Sequence, residues 1–166
     1  MEIIFETERL IVRQFTTADY DNLYLLHGNP EVMRYIRPVK TKEESDVFLD
    51  MALETYVSSY MGRWAVDEKL TGNFVGTFVI VPIPDDTEKI QLGYSFTPEN
   101  WGKGFATEVT RAGLDYFRNN TPLTEIYAVT ESPNIASQKV LLKAGFSLYG
   151  NKMEGEKELV VFIVRR

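Results

Sequence analysis

The sequence predicts an α/β fold: a mixed, mostly antiparallel sheet with a central parallel step, flanked by about four helices. Two observations predict it. Three strand-like runs, RWAVDE (63–68), FVGTFVIV (74–81) and KIQLGYSF (89–96), follow one another with only the turn signals LTGN and PIPDD between them, as in an antiparallel meander. The pattern then changes to helix, strand, helix and two closing strands. A strand reached through a crossover helix returns parallel to its predecessor, with right-handed sense.

The elements follow in order. RLIVRQF (9–15) alternates like a strand, and Thr16 or Thr17 can cap a helix that runs to about His27. Pro30 suits the first turn of a short helix ending near Arg34. Thr41 with Glu44 three residues on reads as a capping box. It opens a long helix, about 42–58, with Val47, Phe48, Met51 and Thr55 on neighbouring turns. After the meander come a helix over 104–119, the strand EIYAVT (125–130), a helix over 134–144, and a hairpin with strands near 146–152 and 158–165.

The length of 166 residues suits a single domain, 1–166, able to bury about 70% of its unfolded surface without disulfide or metal. There is no cysteine, which excludes a catalytic thiol and a Cys-based zinc site. With one histidine and no calcium-loop spacing, no metal site is expected. No apolar run reaches membrane-helix length, and MEIIFETERL is too charged for a signal peptide, so a cytoplasmic protein without a membrane partner is expected. The net charge of −6 is opposite to that of a nucleic-acid binder; it serves solubility first and mildly favours cationic partners, such as amines or basic peptides.

NWGKGFATE (100–108) sits where a strand passes into a helix. Gly102 and Gly104 free the backbone of side-chain sterics, so successive N–H groups can converge, and the following helix offers unpaired N–H groups and a positive dipole end. Lys103 adds a cation. Such a corner binds phosphate, although for the loop alone a plain glycine turn is the slightly better reading, since short glycine motifs are common. A Walker loop is excluded, because Gly104 follows Lys103 and Thr97 stands where its first glycine belongs. A dinucleotide fingerprint is excluded by Thr107 at its third glycine. SPNIASQKVLLKAGF (132–146) makes a second helix entry, with Asn134 and Ser137 on one face. Asn134 as a plain cap and Ser137 as a solvent-facing residue is the structural alternative. Two such corners flanking one parallel strand leave a cleft at the carboxyl ends of the strands.

These residues carry a resemblance. TERLIVRQF (7–15), NPEVMRYI (29–36), GYSFTPENWGKGFATE (93–108) and N-x-x-S-x-x-V-x-x-K-x-G-F (134–146), in this order over essentially the whole chain, resemble the GNAT superfamily of N-acetyltransferases, in its ribosomal-protein N-terminal (Rim-type) branch. The resemblance implies acetyl-CoA as co-substrate, with Trp101, Gly102, Lys103, Gly104, Phe105, Ala106 and Thr107 cradling its pyrophosphate through backbone N–H groups. It implies that the strand end at Phe96 and Thr97 pairs with the pantetheine arm and offers an N–H to the acetyl carbonyl. It places Asn134 by the pantetheine and thiol, and Lys143 towards the adenosine end. Trp101 stands where most of the superfamily has Gln or Arg, as Rim-type members often do. Leu141 occupies the place of the usual tyrosine acid, which leaves Ser137, the Rim-type alternative, as proton donor to the leaving thiolate.

The implied reaction is direct acetyl transfer to a primary amine, such as a protein N-terminus. The alternatives are a small amine (polyamine, amino acid, amino sugar or antibiotic) and a non-catalytic CoA-binding module. Arg34, Tyr35 and Arg37 either shape the acceptor pocket or form a solvated basic turn. His27 reads as a surface residue at a helix end, Trp64 and Tyr94 as core, although Tyr94 or Tyr149 could reach the cleft. The exposed carboxyl-terminal hairpin could pair with a second chain, which allows a homodimer.

Overall fold

The computed structural model describes residues 2–56 and 59–166. Its strands are β1 (Ile3–Glu6), β2 (Leu10–Gln14), β3 (Gly62–Glu68), β4 (Phe74–Ile83), β5 (Asp86–Phe96), β6 (Glu125–Glu131), β7 (Ser147–Glu154) and β8 (Lys157–Arg165). Its helices are α1 (Tyr20–His27), α2 (Pro30–Met33), α3 (Lys42–Glu54), α4 (Phe105–Asn120) and α5 (Ile135–Ala144). One eight-stranded sheet runs in the order β1-β2-β3-β4-β5-β6-β8-β7. Every pairing is antiparallel except β5 with β6, which is the expected parallel step. No helix of the described residues is long and apolar enough to cross a membrane.

Two apolar faces hold the sheet. Trp64, Phe78, Ile80, Leu92 and Ile126 meet Val109, Leu114 and Phe117 of α4 on one side. Phe15 and Ala65 meet Leu23 of α1 and Leu49 of α3 on the other. Gly113 is where α4 comes closest to the sheet: a Cβ there would lie 2.4 Å from Phe78 Cζ. Between β2, β3 and the entry to α1, Arg13 bridges two carboxylates, Nη1 to Asp19 at 2.8 Å and Nε to Asp67 at 2.6 Å. Burial alone raises the Asp19 carboxyl, but hydrogen bonds from Arg13, Thr16 and Asn22 outweigh it and hold the group below its ordinary value.

Several local expectations need correction. The strand β1 was not foreseen, because a four-residue run beside a charged terminus carries too little period. Phe5 anchors it, pairing with Val12 and packing edge-on against Phe78. Thr16 is the cap that opens the first helical turn: its Oγ1 accepts from the Ala18 N–H at 3.2 Å, while the Asp19 carboxylate accepts from the Thr16 N–H at 2.8 Å. Thr41 Oγ1 accepts from the Glu44 N–H, as expected. The helix it starts ends at Glu54, and residues 57 and 58 of the expected span lie outside the described residues. Its buried face carries Ser45, Leu49 and Ala52, while Val47 and Met51 are exposed. This helix has apolar side chains on more than one face, and docking of Leu49 beside Leu23 selects which is covered. His27 is 6% exposed and not at the surface, because α3 closes over the end of α1: its ring packs edge-on to Phe48 and its Nδ1 lies 3.0 Å from Ser45 Oγ. PIPDD is mostly strand, with only residues 84 and 85 between β4 and β5.

Gly113→Ala tests the closest packing. The gain in helix propensity, about 1 kcal/mol, is set against the ~1–3 kcal/mol that overpacking costs; with a contact as close as 2.4 Å the upper half of that range applies, so a net loss of about 1–2 kcal/mol is expected in urea unfolding. An unchanged or raised midpoint would show that Phe78 yields without cost.

Candidate active site

The parallel step is short. Gln91 opposite Tyr127 is the one register pair between β5 and β6, and beyond it the strands part. A cavity of about 570 Å³ opens there. Leu92 to Phe96 of β5 form one wall, Ala128 to Thr130 of β6 another, and the glycine loop with the first turns of α4 and α5 the end.

The loop is shaped by two left-handed residues, Gly102 at φ +74° and Gly104 at φ +80°. Gly104 is the cap of α4 and supplies no side chain to it. Among the described residues, the backbone N–H groups of 102 to 107 donate to no protein acceptor; the first amide satisfied in the helix is that of Glu108, on Gly104 O at 3.1 Å. Six successive free amides at an uncapped helix start suit an anion of diphosphate size.

The loop is braced from outside. The Trp101 indole N–H donates to Phe96 O at 2.8 Å, which ties the loop to the end of β5. Arg9 Nη1 donates to Lys103 O at 2.8 Å, and its guanidinium lies over the Phe105 ring at 4.7 Å. The same guanidinium pairs with Glu108 at 2.7 Å, and Glu108 also accepts from Thr7 Oγ1 at 2.6 Å. Burial raises the Glu108 carboxyl, but the hydrogen bonds from Thr7 and Arg9 prevail and hold it below its ordinary value. This brace explains what TERL contributes, a role that no local pattern in residues 7–10 signals.

The second corner stands opposite. Asn134 caps α5, its Oδ1 accepting from the Ser137 N–H at 3.2 Å, so its side-chain NH₂ is the part left to meet a ligand. Ser137 Oγ lies 3.1 Å from Tyr94 Oη. Burial raises the Tyr94 phenol, and the Ser137 hydrogen bond only partly offsets this, so the phenol stays protonated at neutral pH. Tyr94 therefore does both things expected of it, packing against the core and reaching the cleft. Trp64 is core, at 2% exposure, and Tyr149 packs against Tyr127, away from the cleft lining.

The anticipated residues divide. Phe96, Trp101, Gly102, Gly104, Phe105, Ala106, Thr107, Asn134 and Ser137 line the cavity. Thr97, Lys103 and Lys143 do not. Thr97 is buried, its N–H on Val75 O and its hydroxyl accepting from Asn100 Nδ2. Lys103 Nζ donates to Asn100 Oδ1 at 3.0 Å. Lys143 is exposed, and its carbonyl accepts from Arg111, which joins α4 to α5. Arg34 and Tyr35 reach the cleft rim.

Known proteins resemble this chain in sequence and in fold. The profile described as Acetyltransferase (GNAT) domain matches residues 9–147. YoaA of Bacillus subtilis (strain 168), an uncharacterized N-acetyltransferase, is 32% identical over 151 residues, covering 89% of this chain and 84% of YoaA. Among solved structures, RimL, a ribosomal L7/L12 alpha-N-protein acetyltransferase in complex with coenzyme A, superposes with TM-score 0.84 at 15% identity, over 99% of this chain and 98% of that one. Spermidine N-acetyltransferase from Vibrio cholerae, in complex with CoA and spermine, gives TM-score 0.78 at 20% identity, over 94% of this chain and 95% of that one. At these identities the two structures share the fold.

Gly104→Ala tests the loop. A side chain at positive φ costs about 1–2 kcal/mol, so the affinity for acetyl-CoA measured by calorimetry should fall roughly tenfold. Undiminished affinity would mean that the amides of this loop do not hold the co-substrate.

A parted parallel pair, an uncapped α4 and a profile match over most of its length make the chain a member of the GNAT family of acetyl-CoA-dependent N-acetyltransferases.

Proposed function

We propose that the chain transfers acetyl directly from acetyl-CoA to a primary amine, with the pyrophosphate held by the amides of 102 to 107 and the proton donor drawn from the Tyr94–Ser137 hydroxyl pair. That pair is the observation that carries the reading. It sits in the same cleft as the glycine loop, at the start of α5.

The chemistry balances without a covalent enzyme intermediate. A neutral amine nitrogen attacks the acetyl carbonyl carbon, and the carbon–sulfur bond breaks. The departing thiolate takes a proton from Ser137 Oγ, which regains one from Tyr94 Oη 3.1 Å away, and the proton that the attacking nitrogen releases to solvent is replaced at Tyr94 from solvent, so that amine and thioester become amide and thiol. The ordinary thiol pKa, about 8.5, makes this proton useful at neutral pH. Stabilising the oxyanion falls to a backbone N–H of β5. The Thr97 amide is engaged by Val75 O, which leaves the edge of β5 facing the parted seam as the source. Holding two substrates in one cleft supplies much of the remaining rate.

The Rim-type affinity rests on the motifs of residues 93–108 and 134–146 and on the shared fold with RimL. A fold of the same kind serves spermidine in the Vibrio cholerae enzyme, so a protein N-terminus and a small amine are both within its range. The sheet edge at β7 supports a homodimer as the assembly, since nothing pairs with its outer side among the described residues.

Ser137→Ala should lower kcat about 100-fold while leaving acetyl-CoA affinity near wild type, and Tyr94→Phe should lower it less. Thiol release from acetyl-CoA across a panel of peptides and small amines measures both. Unchanged kcat in Ser137→Ala would remove the hydroxyl pair from the mechanism.

A further inference from the structure

A second hollow of about 60 Å³ lies on the sheet face opposite α4. Sheet register explains its position. Arg63 pairs with Val79, Val79 with Gly93, and Thr77 with Ser95, so these residues share the face that α1 and α3 cover. Trp64, Phe78 and Tyr94 occupy the other face, by alternation. Ile36 and Ser95 line both this hollow and the active-site cleft, so the two adjoin.

The hollow is cationic in a protein whose net charge is −6. Arg37 and Arg63 line it, and with Lys40 they surround one ring: the cations lie 5.5, 5.2 and 5.7 Å from the Phe48 centroid. Among the described residues, no carboxylate forms an ion pair or hydrogen bond with any of the three. Arg13 shows the contrast, since that enclosed guanidinium has two carboxylates. The surrounding groups register the imbalance. Burial, and then the charges of Arg37 and Lys40, hold His27 down to about 4, so it is neutral at working pH. Burial, and then repulsion from Arg37, lowers Arg63.

Two neighbouring guanidiniums without an acid, at the far end of a transferase cleft, match a planar anion. The volume admits roughly four water-sized groups, enough for a carboxylate or phosphate and too little for a peptide. A polyamine would meet like charge here. We propose that the acceptor is a small primary amine carrying an anionic group, carboxylate or phosphate, that Arg37 and Arg63 hold before Phe48 while the amine points into the cleft. The assignment rests on the amine-acetylation reading, and its arginine half is testable apart from it.

The test compares matched amines by thiol release: free amino acids against their amides, phosphoethanolamine against ethanolamine, and spermidine. The anionic member of a pair should have kcat/KM about ten- to a hundredfold above its neutral partner, and the pair that shows this identifies carboxylate or phosphate. Arg63→Met, and separately Arg37→Met at the exposed rim, should each reduce that ratio about tenfold. Calorimetry of the N-acetylated products in the presence of CoA gives a readout that needs no turnover: anionic products should bind more tightly than neutral ones, and less so in both variants. Preference for neutral or polycationic amines, or a ratio unmoved in both variants, would overturn the anionic acceptor while leaving acetyl transfer intact. Failure of acetyl-CoA to bind would overturn the transfer reading, and binding of the anionic products would still decide the arginines.

Discussion

The molecule is organised around the parting of β5 from β6. A parallel pair held at Gln91 and Tyr127 alone leaves the strand edges beyond it without their usual partners, and backbone groups in a sheet interior need partners. The opening is kept from collapsing by well-packed layers on either side. β5 is committed to β4 along Gly76–Phe96 to Ile83–Asp86, and β6 to β8 along all seven of its residues. A strand-like occupant, such as the amide-bearing arm of a thioester, suits such a seam.

Charge is distributed to fit that seam. At one end a helix start has been left without a cap, although the chain caps α2, α3 and α5 with Asn29, Thr41 and Asn134. Leaving those donors unpaired is costly unless something outside the chain meets them. Glu108 sits within the same first turn, where its negative charge would compete with a bound anion, but Arg9 and Thr7 engage it on the side away from the cleft lining. On the other side of the sheet the guanidiniums of Arg37 and Arg63, without an acid partner among the described residues, form a second positive region that adjoins the cleft at Ile36 and Ser95. On a chain of net charge −6, the free amides of the glycine loop and the Arg37–Arg63 hollow are two places where an anion meets positive charge.

The motifs were legible because they are local. Gly102 and Gly104 adopt the positive φ that their lack of a side chain permits, and Asn134 caps the helix that its spacing to Ser137 announces. The strands of the meander and the crossover helices were legible from period and turn chemistry. What failed were judgements about which side of an element is covered. Val47 and Met51 looked inward by spacing and are exposed, and His27 looked outward and is buried, whereas Tyr94 both packs against the core and reaches Ser137, as its strand position allowed. The pKa of His27 changes for the same reason, since its burial comes from α3, eighteen residues or more along the chain.

By itself the sequence determined the order of elements from β2 onward, the corner that frees six amides, and the family to which these motifs belong, because backbone sterics, capping and hydrophobic period act over a few residues. Only the tertiary structure decided that β5 and β6 share a single register pair beside the cleft, that Arg9 braces a loop ninety-odd positions away, and that Arg37 and Arg63 meet around Phe48 without an acid among the described residues. Those facts depend on long-range packing and strand register, and no local pattern encodes which distant side chains will share a hollow.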